Sequence, residues 1–504
     1  MSTNFVEVRN GQALKLADIS NSSWDEIERF LVDATKAGQR VSAMFGLSGV
    51  GQTVEVIFAV SADASATIKV GRSVIAGRSF RSLTPQCPQL HLFERELAEQ
   101  FGLSAEGHPW FKPVRFSPPL KSDDPSRVSP TIGDTDYFRV HGEEVHQVAV
   151  GPVHAGVIEP GHFRFQCHGE NVFHLEISLG YQHRGIEAGL IGGPNRTALA
   201  QIETIAGDTS IGHSWAYALC LEGLAGVQVP AQAEAIRAVA LELERLANHT
   251  GDMGALAGDV GYLPTMSYCG RIRGDFLNMT GLICGNRFGR GTVKPGGVRF
   301  GIDSARAAEL LARLTRAERD VTGAIELLWE TPSVMARFEG TGIVQRELAI
   351  DIGLVGVAAR ACGLERDTRF THPFGFYNFN LVPIALGHQG DVASRALVRW
   401  LEIRRSIQIV REQLERINQL ELGVEVPVGK LEPNSLVVSL VEGWRGEICH
   451  VAVTDFEGKF RRYKICDPSF HNWTGLALAL RGQQISDFPL CNKSFNLSYC
   501  GYDL

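Results

Sequence analysis

Three long amphipathic stretches between residues 215 and 420 constrain the fold more than any other feature of the sequence. In each stretch, apolar residues recur every three or four positions, which places them on one face of a helix. These positions are Ile236, Val239, Leu243 and Leu246, then Leu310, Leu314, Val321, Ile325 and Leu328, then Leu397, Trp400, Ile407, Val410, Leu414 and Ile417. Such faces form packed cores, so the sequence predicts a bundle of long helices.

The composition is that of an ordinary globular protein of more than one domain. The chain has 504 residues, of which 44% are hydrophobic and 21% are charged. Its formal net charge of -7 argues against a nucleic-acid partner. No apolar run reaches the roughly 18 residues of a membrane-spanning helix, and the first residues lack the pattern of a signal peptide. We therefore expect a cytoplasmic protein that reaches a membrane only through partner subunits.

The first 115 residues predict a small α+β domain. Ser23 and Glu26 have the spacing of a helix capping box, and residues 53–60 are rich in β-forming side chains. Further on, Gly102 has the position of a helix-ending glycine. Residues 116–137 are rich in proline, serine and charge, so we interpret them as a linker to a second domain at 138–504.

The second domain adds strands to the predicted helices. Two short strands around a Gly/Pro turn are expected within residues 148–165, and three more within 434–466. The chain as a whole is therefore assigned to the α+β class. Its ten cysteines are all more than four residues apart, wider than usual for zinc or local iron–sulfur sites. We interpret them as reduced, mostly buried thiols.

Several short motifs of the N-terminal part resemble one known subunit. The segments Phe93-Glu-Arg-Glu, Phe101-Gly-Leu and Gly107-His-Pro, in this order, resemble the C subunit of respiratory complex I. That subunit is a docking module without a cofactor. The resemblance implies the same role for residues 1–115.

Four segments of the second domain resemble [NiFe] hydrogenase large subunits of the energy-converting, formate hydrogenlyase type, and the related D subunit of complex I. They are Gly151-Pro-Val-His154 with Glu159-Pro-Gly-His-Phe163, residues 180–189, residues 203–214, and residues 490–504. The chain is thus similar to a fused C/D-type subunit. The resemblance implies a helical bundle with a small β-subdomain at each end. By the same resemblance, Arg271–Phe276 lies among helix ends and turns.

The metal ligands of that family are missing from this sequence. In metal-bearing relatives, two Cys-x-x-Cys pairs hold nickel and iron, because soft thiolates suit these metals. The aligned positions here are Ala206 and Thr209 in one pair, and Ser498 and Gly501 in the other. We therefore expect that this chain holds no metal and no cofactor of its own.

The resemblance nominates Glu187, Asp208 and His213 as candidate catalytic residues. In the family, the glutamate aligned with Glu187 relays protons beside the metal. Asp208 and His213 are the ionisable groups that remain where thiolates would lie. A carboxylate and an imidazole relay protons or hold a quinone headgroup. The alternative is structural: a salt bridge for Glu187 and a satisfied buried pair for the other two.

Four further residues are candidates for lining a quinone or the former metal cavity. His154 and His162 lie in the segment that resembles a quinone-facing hairpin of complex I, and His183 and Arg184 neighbour Glu187. The alternative for the two hairpin histidines is that they satisfy turn hydrogen bonds. Complex I also has a quinone-contacting tyrosine just before the first corner, where this chain has Ile205.

Three functional hypotheses follow from the resemblance. The first is a redox-complex subunit that couples electron transfer from a [4Fe-4S] small subunit to proton or quinone chemistry, above antiporter-like membrane subunits. The second is a structural scaffold of the same complex. The third is a nickel hydrogenase with rearranged ligands such as Cys491 and Cys500. A formate dehydrogenase is a further partner candidate in the first case.

Overall fold

The computed structural model describes residues 4–49, 51, 53–120, 130–155, 158–420 and 423–504. The strands of these ranges are β1 Val6–Val8, β2 Ala13–Lys15, β3 Arg40–Ser48, β4 Val54–Ala62, β5 Thr67–Ile75, β6 Ser79–Arg81, β7 Ser104–Glu106, β8 Val145–Val150, β9 His162–His168, β10 Asn171–Ser178, β11 Val293–Lys294, β12 Gly297–Val298, β13 Ser435–Glu442, β14 Glu447–Thr454 and β15 Phe460–Cys466.

The helices are α1 Trp24–Lys36, α2 His91–Phe101, α3 Ile186–Leu190, α4 Ala198–Ile202, α5 Ser210–Ala225, α6 Ala231–Asp259, α7 Leu263–Cys284, α8 Ser304–Trp329, α9 Pro332–Phe338, α10 Arg346–Asp351, α11 Gly356–Ala361, α12 Thr368–Thr371, α13 Val392–Arg416, α14 Pro468–Ala479, α15 Phe488–Phe495 and α16 Tyr499–Asp503. Helices and small sheets are mixed throughout, which confirms the α+β class.

Local sequence signals set the N-terminal elements. The Ser23 hydroxyl accepts from the Glu26 backbone N–H and the Glu26 side chain bonds back to Ser23, so the predicted capping box begins α1. Gly102 ends α2 with φ of +65°, a left-handed conformation that glycine adopts without a Cβ clash. The predicted strand at 53–60 is confirmed as β4, which lies in an antiparallel sheet of order β1-β5-β4-β3.

The N-terminal part shares a second sheet with the C-terminal part. Strand β2 pairs antiparallel with β13 in a sheet of order β15-β14-β13-β2, with Leu14 opposite Leu436. The buried side chain of Arg40 on β3 donates to the Glu447 carboxylate on β14. One hydrophobic cluster also contains residues from both parts of the chain. Residues 1–115 are therefore joined to the rest by pairing, charge and apolar packing.

The long helices form the predicted bundle, with one helix that the apolar spacing did not reveal. Helix α6 packs along α7 and α13, and α8 packs against α7 and α13. The expectation that Arg271–Phe276 lies among helix ends and turns is wrong, because this segment is inside α7. Gly270 and Gly274 interrupt the apolar stripe there, and the helix forms because Ile272 and Phe276 are fully buried by its neighbours.

The predicted linker is described only in part, because residues 121–129 lie outside the described residues. In the described part of the chain, no helix is both long and apolar enough to cross a membrane. The predicted hairpin at 148–165 corresponds to β8 and β9, which pair antiparallel, with Val150 opposite Phe163.

Candidate functional site

The first corner of the site, residues 203–214, is a turn that leads into α5. The carboxylate of Glu244 on α6 accepts from the backbone N–H groups of Ile211 and Gly212, at 2.8 and 3.2 Å. A carboxylate in this position satisfies free N–H groups of a helix N-terminus and complements its dipole. The Trp444 indole N–H donates to the Asp208 carbonyl at 3.0 Å. These bonds fix the turn against α6 and the β13–β14 loop.

The second corner is the short helix α16 with its cap. The Ser498 hydroxyl accepts from the Gly501 backbone N–H at 2.9 Å. The Asp503 carboxylate accepts from the backbone N–H groups of Gly180 and Gln182, at 2.7 and 2.8 Å. Burial raises the pKa of Asp503 to about 6. The C-terminal segment is thereby held against the 180–189 motif.

Two arginines hold the corners together. Arg184 donates to the carbonyls of Thr204 and Ile205 at 2.7 and 3.1 Å, and its backbone N–H donates to the Leu504 carbonyl at 2.7 Å. Arg445, in the β13–β14 loop, donates through Nε to the Asn496 carbonyl at 2.6 Å. The same guanidinium binds Asp208 in the first corner. The two segments nominated by sequence therefore meet in space.

The four positions that the resemblance aligns with metal ligands lie at this meeting point, and they do not suit a nickel–iron centre. Ala206 is buried and has no ligand atom. The Thr209 hydroxyl accepts from the Trp444 indole N–H at 3.1 Å, and the Ser498 hydroxyl is the helix cap described above. At Gly501, a Cβ atom would lie 2.7 Å from the Asp467 carboxylate carbon. The space for a ligand at residue 501 is thus taken by another side chain.

Asp208 is held as a carboxylate by a two-point ion pair. Arg445 Nη1 and Nη2 lie 2.7 and 2.8 Å from Oδ1 and Oδ2 of Asp208. Burial favours the neutral acid, but the Arg445 charge outweighs it and holds the pKa of Asp208 below its usual range. The Asp208 side chain keeps 33% of its surface exposed, whereas Arg445 keeps 6%. Asp208 is therefore the solvent-facing carboxylate of the site.

His213 belongs to a buried hydrogen-bonded chain. Its Nε2 lies 3.0 Å from Asp467 Oδ2, and its Nδ1 lies 3.1 Å from His450 Nε2. His450 Nδ1 lies 2.9 Å from the Tyr463 hydroxyl. Burial holds the pKa of His450 well below its usual range, and the neighbouring His213 adds to this effect. The chain runs from the sheet interior to the edge of the second corner.

Glu187 lies beside strand β15, in contact with buried cations. Its carboxylate accepts from Arg462 Nη2, Lys464 Nζ and the Ile465 backbone N–H, each at 3.0 Å. Burial alone would raise its pKa, but Lys464 and Arg462 outweigh that effect and hold the pKa of Glu187 at about 2. Lys464 also binds Glu96 of α2 at 2.7 Å. Glu187 and Lys464 thus link α3 and β15 to Glu96 in the N-terminal part.

The remaining candidates lie along the edge of the site. His154 Nε2 contacts the Gly161 carbonyl at 2.9 Å, and His162 Nδ1 contacts the Gly151 carbonyl at 3.1 Å, both within the β8–β9 connection. His183 Nδ1 contacts the Asp503 carbonyl at 2.8 Å. His183 and the Arg184 bridge therefore bind the C-terminal corner, whereas the two hairpin histidines bind their own turn.

The cysteines of the alternative metal hypothesis do not assemble a ligand set. Cys500 Sγ lies 3.3 Å from the Ser498 hydroxyl, and Cys491 is buried on α15. Within the described ranges, no group of three or more His, Cys, Asp or Glu side chains is arranged to hold a metal ion.

Several residues that complete this site have no role in the sequence-based prediction. They are Arg445, Asp467, His450, Tyr463 and Glu244. The segments Glu442–Glu447 and Asp467–Trp473 also resemble the family, and this resemblance was the available signal for Arg445 and Asp467. Nothing local marks His450 or Tyr463, because each follows the ordinary pattern of a strand.

Two family models match successive parts of the chain. Residues 17–127 match the family of the 30 Kd subunit of respiratory-chain NADH dehydrogenase, and residues 259–435 match that of the 49 Kd subunit. The carbon monoxide-induced hydrogenase of Rhodospirillum rubrum is 30% identical over 354 residues, 70% of this chain and 97% of that protein.

Two further relatives are a formate hydrogenlyase subunit and an NADH-quinone oxidoreductase subunit. Formate hydrogenlyase subunit 5 of Escherichia coli is 30% identical over 439 residues, 83% of this chain and 76% of that protein. NADH-quinone oxidoreductase subunit 4 of Thermus thermophilus is 32% identical over 372 residues, 68% of this chain and 90% of that protein. The fold, the converging corners and these matches define an oxidoreductase subunit of the complex I type.

The chain belongs to the family of complex I 49 Kd-type and energy-converting hydrogenase large subunits. Within that family it is a fused form, with a 30 Kd-type region ahead of the 49 Kd-type region. The predicted resemblance is confirmed.

Proposed function

We propose that this chain is the large subunit of a membrane-associated, complex I-like oxidoreductase that works without a nickel–iron centre. In this proposal, electrons arrive at a [4Fe-4S] cluster of a partner small subunit, and the corner site couples them to proton or quinone chemistry. One observation supports the proposal: Asp208 pairs with Arg445 and His213 with Asp467, beside the positions that the resemblance aligns with metal-binding thiolates. Ionisable side chains at such a position are suited to proton transfer.

The partners in this proposal are those that the family resemblance implies. We infer a [4Fe-4S] small subunit and antiporter-like membrane subunits, with a formate dehydrogenase as a further candidate because one relative is a formate hydrogenlyase subunit. The chain would be cytoplasmic and would lie on the inner face of the membrane through these partners. It would bind no cofactor of its own except a quinone, if quinone is the acceptor. We propose no nucleic-acid partner, in keeping with the net charge of -7.

The nominated residues take different parts in this proposal. Asp208 and His213 act on protons at the corner. Glu187 acts through its cation cluster, because a carboxylate with a pKa of about 2 stays ionised at neutral pH. His183 and Arg184 line the C-terminal corner, and the hairpin with His154 and His162 forms the proposed quinone side.

The test uses the intact complex with Asp208→Asn, His213→Gln or Glu187→Gln in this chain. We expect each complex to assemble with its small subunit, and turnover to fall about 100-fold for Asp208→Asn and His213→Gln, the size of a lost proton-transfer group. The control is Asp275→Asn, which changes an exposed ion pair on α7 far from the corners in sequence. Normal turnover in all three variants would refute the proposal.

The second candidate function is a structural scaffold of the same complex. It is favoured by the contacts of Glu187, whose carboxylate accepts hydrogen bonds from two cations and a backbone N–H. A carboxylate held in this way has a structural role. A scaffold predicts the reverse pattern in the same experiment. Glu187→Gln would then weaken assembly, while the two corner variants would retain full turnover.

A further inference from the structure

A pocket of about 410 Å³ lies where the N-terminal part of the chain meets α5 and α6. Its lining comes from residues 9–11 and 65–66, from residues within 219–229, and from Glu234 and residues within 372–378. The pocket borders the C-terminal end of α5, whereas the corner site lies at the N-terminal end of that helix. Its volume is in the range of ligand pockets, which occur preferentially where domains meet. It is therefore a second candidate binding site, separate from the corners.

Two carboxylates beside this pocket share one guanidinium. Arg237 donates to both oxygens of Glu222, at 2.6 and 3.2 Å, and to the Gly297 carbonyl at 3.0 Å. Glu234 Oε1 lies 3.6 Å from Arg237 Nη1, which is beyond hydrogen-bond distance. Among the described residues, Glu234 Oε2 has no hydrogen-bond partner. The charge of Glu234 is therefore only partly compensated within the chain.

The electrostatics of the lining single out the same carboxylate. Burial raises the pKa of Glu234 to about 7, Arg237 opposes this rise, and the Glu222 charge adds to it. Burial also keeps the pKa of His372 below its usual range, so this lining residue adds no positive charge at neutral pH. Arg9, the other cation of the lining, is exposed. The least compensated charge of the pocket is thus that of Glu234.

We propose that this pocket binds a small organic monocation whose protonated amine or guanidine group pairs with Glu234. The Glu234 side chain keeps 16% of its surface exposed, so its carboxylate is accessible to a ligand. Val227, Val229 and Phe374 supply apolar lining for a short carbon chain. The Arg9 guanidinium disfavours a second positive charge on the same ligand. This site goes beyond the proposed function, because it uses none of the corner residues.

A ligand in this pocket contacts both parts of the chain. It lies against residues 9–11 of the N-terminal part and against α5 and α6 of the second part. Because these groups line one pocket only in the folded chain, the cation stabilises the folded form by mass action. A free metabolite amine and a lysine side chain of a partner protein both supply the required ammonium group.

An NMR titration of the full-length chain with n-butylammonium chloride tests the site, with 1-butanol as the uncharged control. We expect saturable binding of butylammonium and at least 10-fold weaker binding of butanol, about the size of one hydrogen bond to a charged group. Glu234→Gln should weaken butylammonium binding by about the same factor, whereas Glu347→Gln on the exposed face of α10 should leave it unchanged. Equal affinities for the amine and the alcohol, or an unchanged affinity in Glu234→Gln, would overturn the proposal.

Ser65→Phe is the second variant, for the case that Glu234→Gln fails to fold. Ser65 is an exposed residue of the lining, so a phenyl ring there obstructs the pocket and leaves Glu234 in place. We expect butylammonium binding to be lost. The control is Ser79→Phe, at an exposed position that does not line the pocket, which should bind as wild type does. Binding that is unchanged in Ser65→Phe would overturn the pocket as its location.

The affinity should also depend on pH, because the cation pairs with the ionised form of Glu234. The charged groups that face Glu234 are Glu222 from α5 and Arg237 on its own helix, and His372 lines the pocket from the segment after α12. With a pKa of about 7, Glu234 is mostly neutral at pH 6 and mostly ionised at pH 8, while butylammonium stays protonated. We expect the affinity to rise about 10-fold over this range. An affinity that does not change with pH would contradict the pairing.

A tripeptide with a central lysine and blocked ends distinguishes the two sources of the cation. Binding at least as tight as that of butylammonium would assign the pocket to a lysine side chain of a partner protein. Exclusion of the tripeptide, with butylammonium still bound, would assign it to a free amine. If neither compound binds, the pocket holds only water and the proposal is overturned.

Discussion

Arg445 holds both carboxylate oxygens of Asp208, with N–O distances of 2.7 and 2.8 Å, across the boundary between two segments that are 237 residues apart in sequence. The two-point geometry matches the planar guanidinium to the planar carboxylate. Because Arg445 also binds the Asn496 carbonyl, this one side chain orders both corners of the site.

Asp208→Asn should destabilise the protein by about 1–3 kcal/mol, because Arg445 is buried and would lose its counter-charge. Urea unfolding of wild type and variant measures the difference. The matched control is Asp275→Asn, which breaks the exposed Arg271 pair and should cost about 0.5 kcal/mol or less. Equal losses of unfolding free energy in the two variants would show that the Asp208–Arg445 pair stabilises the protein no more than an exposed ion pair.

Gly501→Ala should cost about 1–3 kcal/mol, since the new Cβ would meet the buried Asp467 carboxylate at 2.7 Å. In the Asp467→Ala background the same change should cost less, because the opposing group is gone. The control is Gly207→Ala in the first corner, where a Cβ meets nothing within 4 Å. Thermal unfolding of the four variants gives the comparison, and an undiminished cost in the double variant would contradict it.

Glu187 should make a pH-dependent contribution to stability. Its pKa is lowered from 4.5 to about 2 on folding, so its contribution is complete above pH 4.5 and is lost as the pH falls toward 2. The stability gap between wild type and Glu187→Gln should therefore shrink by about 2–3 kcal/mol over this window. Urea titrations at several pH values measure the gap. The control is Glu347→Gln, on the exposed face of α10, whose free energy of unfolding should change with pH as that of wild type does. A stability gap for Glu187→Gln that widens on acidification would contradict the prediction.

Cleavage within the predicted linker at 116–137 should leave the two parts of the chain associated, because they share a sheet and the buried Arg40–Glu447 pair. Limited proteolysis followed by size-exclusion chromatography tests this. Glu447→Gln should let the nicked fragments separate at a lower urea concentration. Glu432→Gln, which breaks the half-exposed Lys15 pair between the same two parts, should have little effect. Fragments that separate in buffer alone would refute this expectation.

The intact complex should contain less than stoichiometric nickel, because Ala206 offers no ligand atom and the space at Gly501 is filled. Elemental analysis measures the ratio, with iron from the partner cluster as the internal reference. About one nickel per chain would contradict the prediction and revive the hypothesis of rearranged ligands.

Local signals in the sequence predicted the elements that are set locally. The capping box at Ser23, the left-handed Gly102 and the strand runs near the C-terminus act over a few residues, and the structure confirms them. Helix α7 was not predicted, because its glycines interrupt the apolar pattern of the face that is buried in the packed structure. Strand β2 was not predicted, since three residues show no periodicity and its partner β13 lies more than 400 residues away.

The sequence predicted where the candidate site lies, but it did not predict all of the residues that form it. The motifs at 203–214 and 490–504 marked both corners, because the family carries its ligands on short local patterns. The bonds within the site are long-range: His213 meets Asp467 across 254 residues and His450 across 237. Which buried polar groups pair with each other depends on the packed fold, and a single sequence does not encode it in any local spacing.

The packing of Asp467 against Gly501 makes these two positions interdependent. Gly501→Cys would bring the new side chain into collision with the Asp467 carboxylate. Removing Asp467 first would leave His213 without its acceptor in a fully buried position. Each of these two changes is costly when it is made alone, so a larger side chain at position 501 is accessible only through a simultaneous change at Asp467.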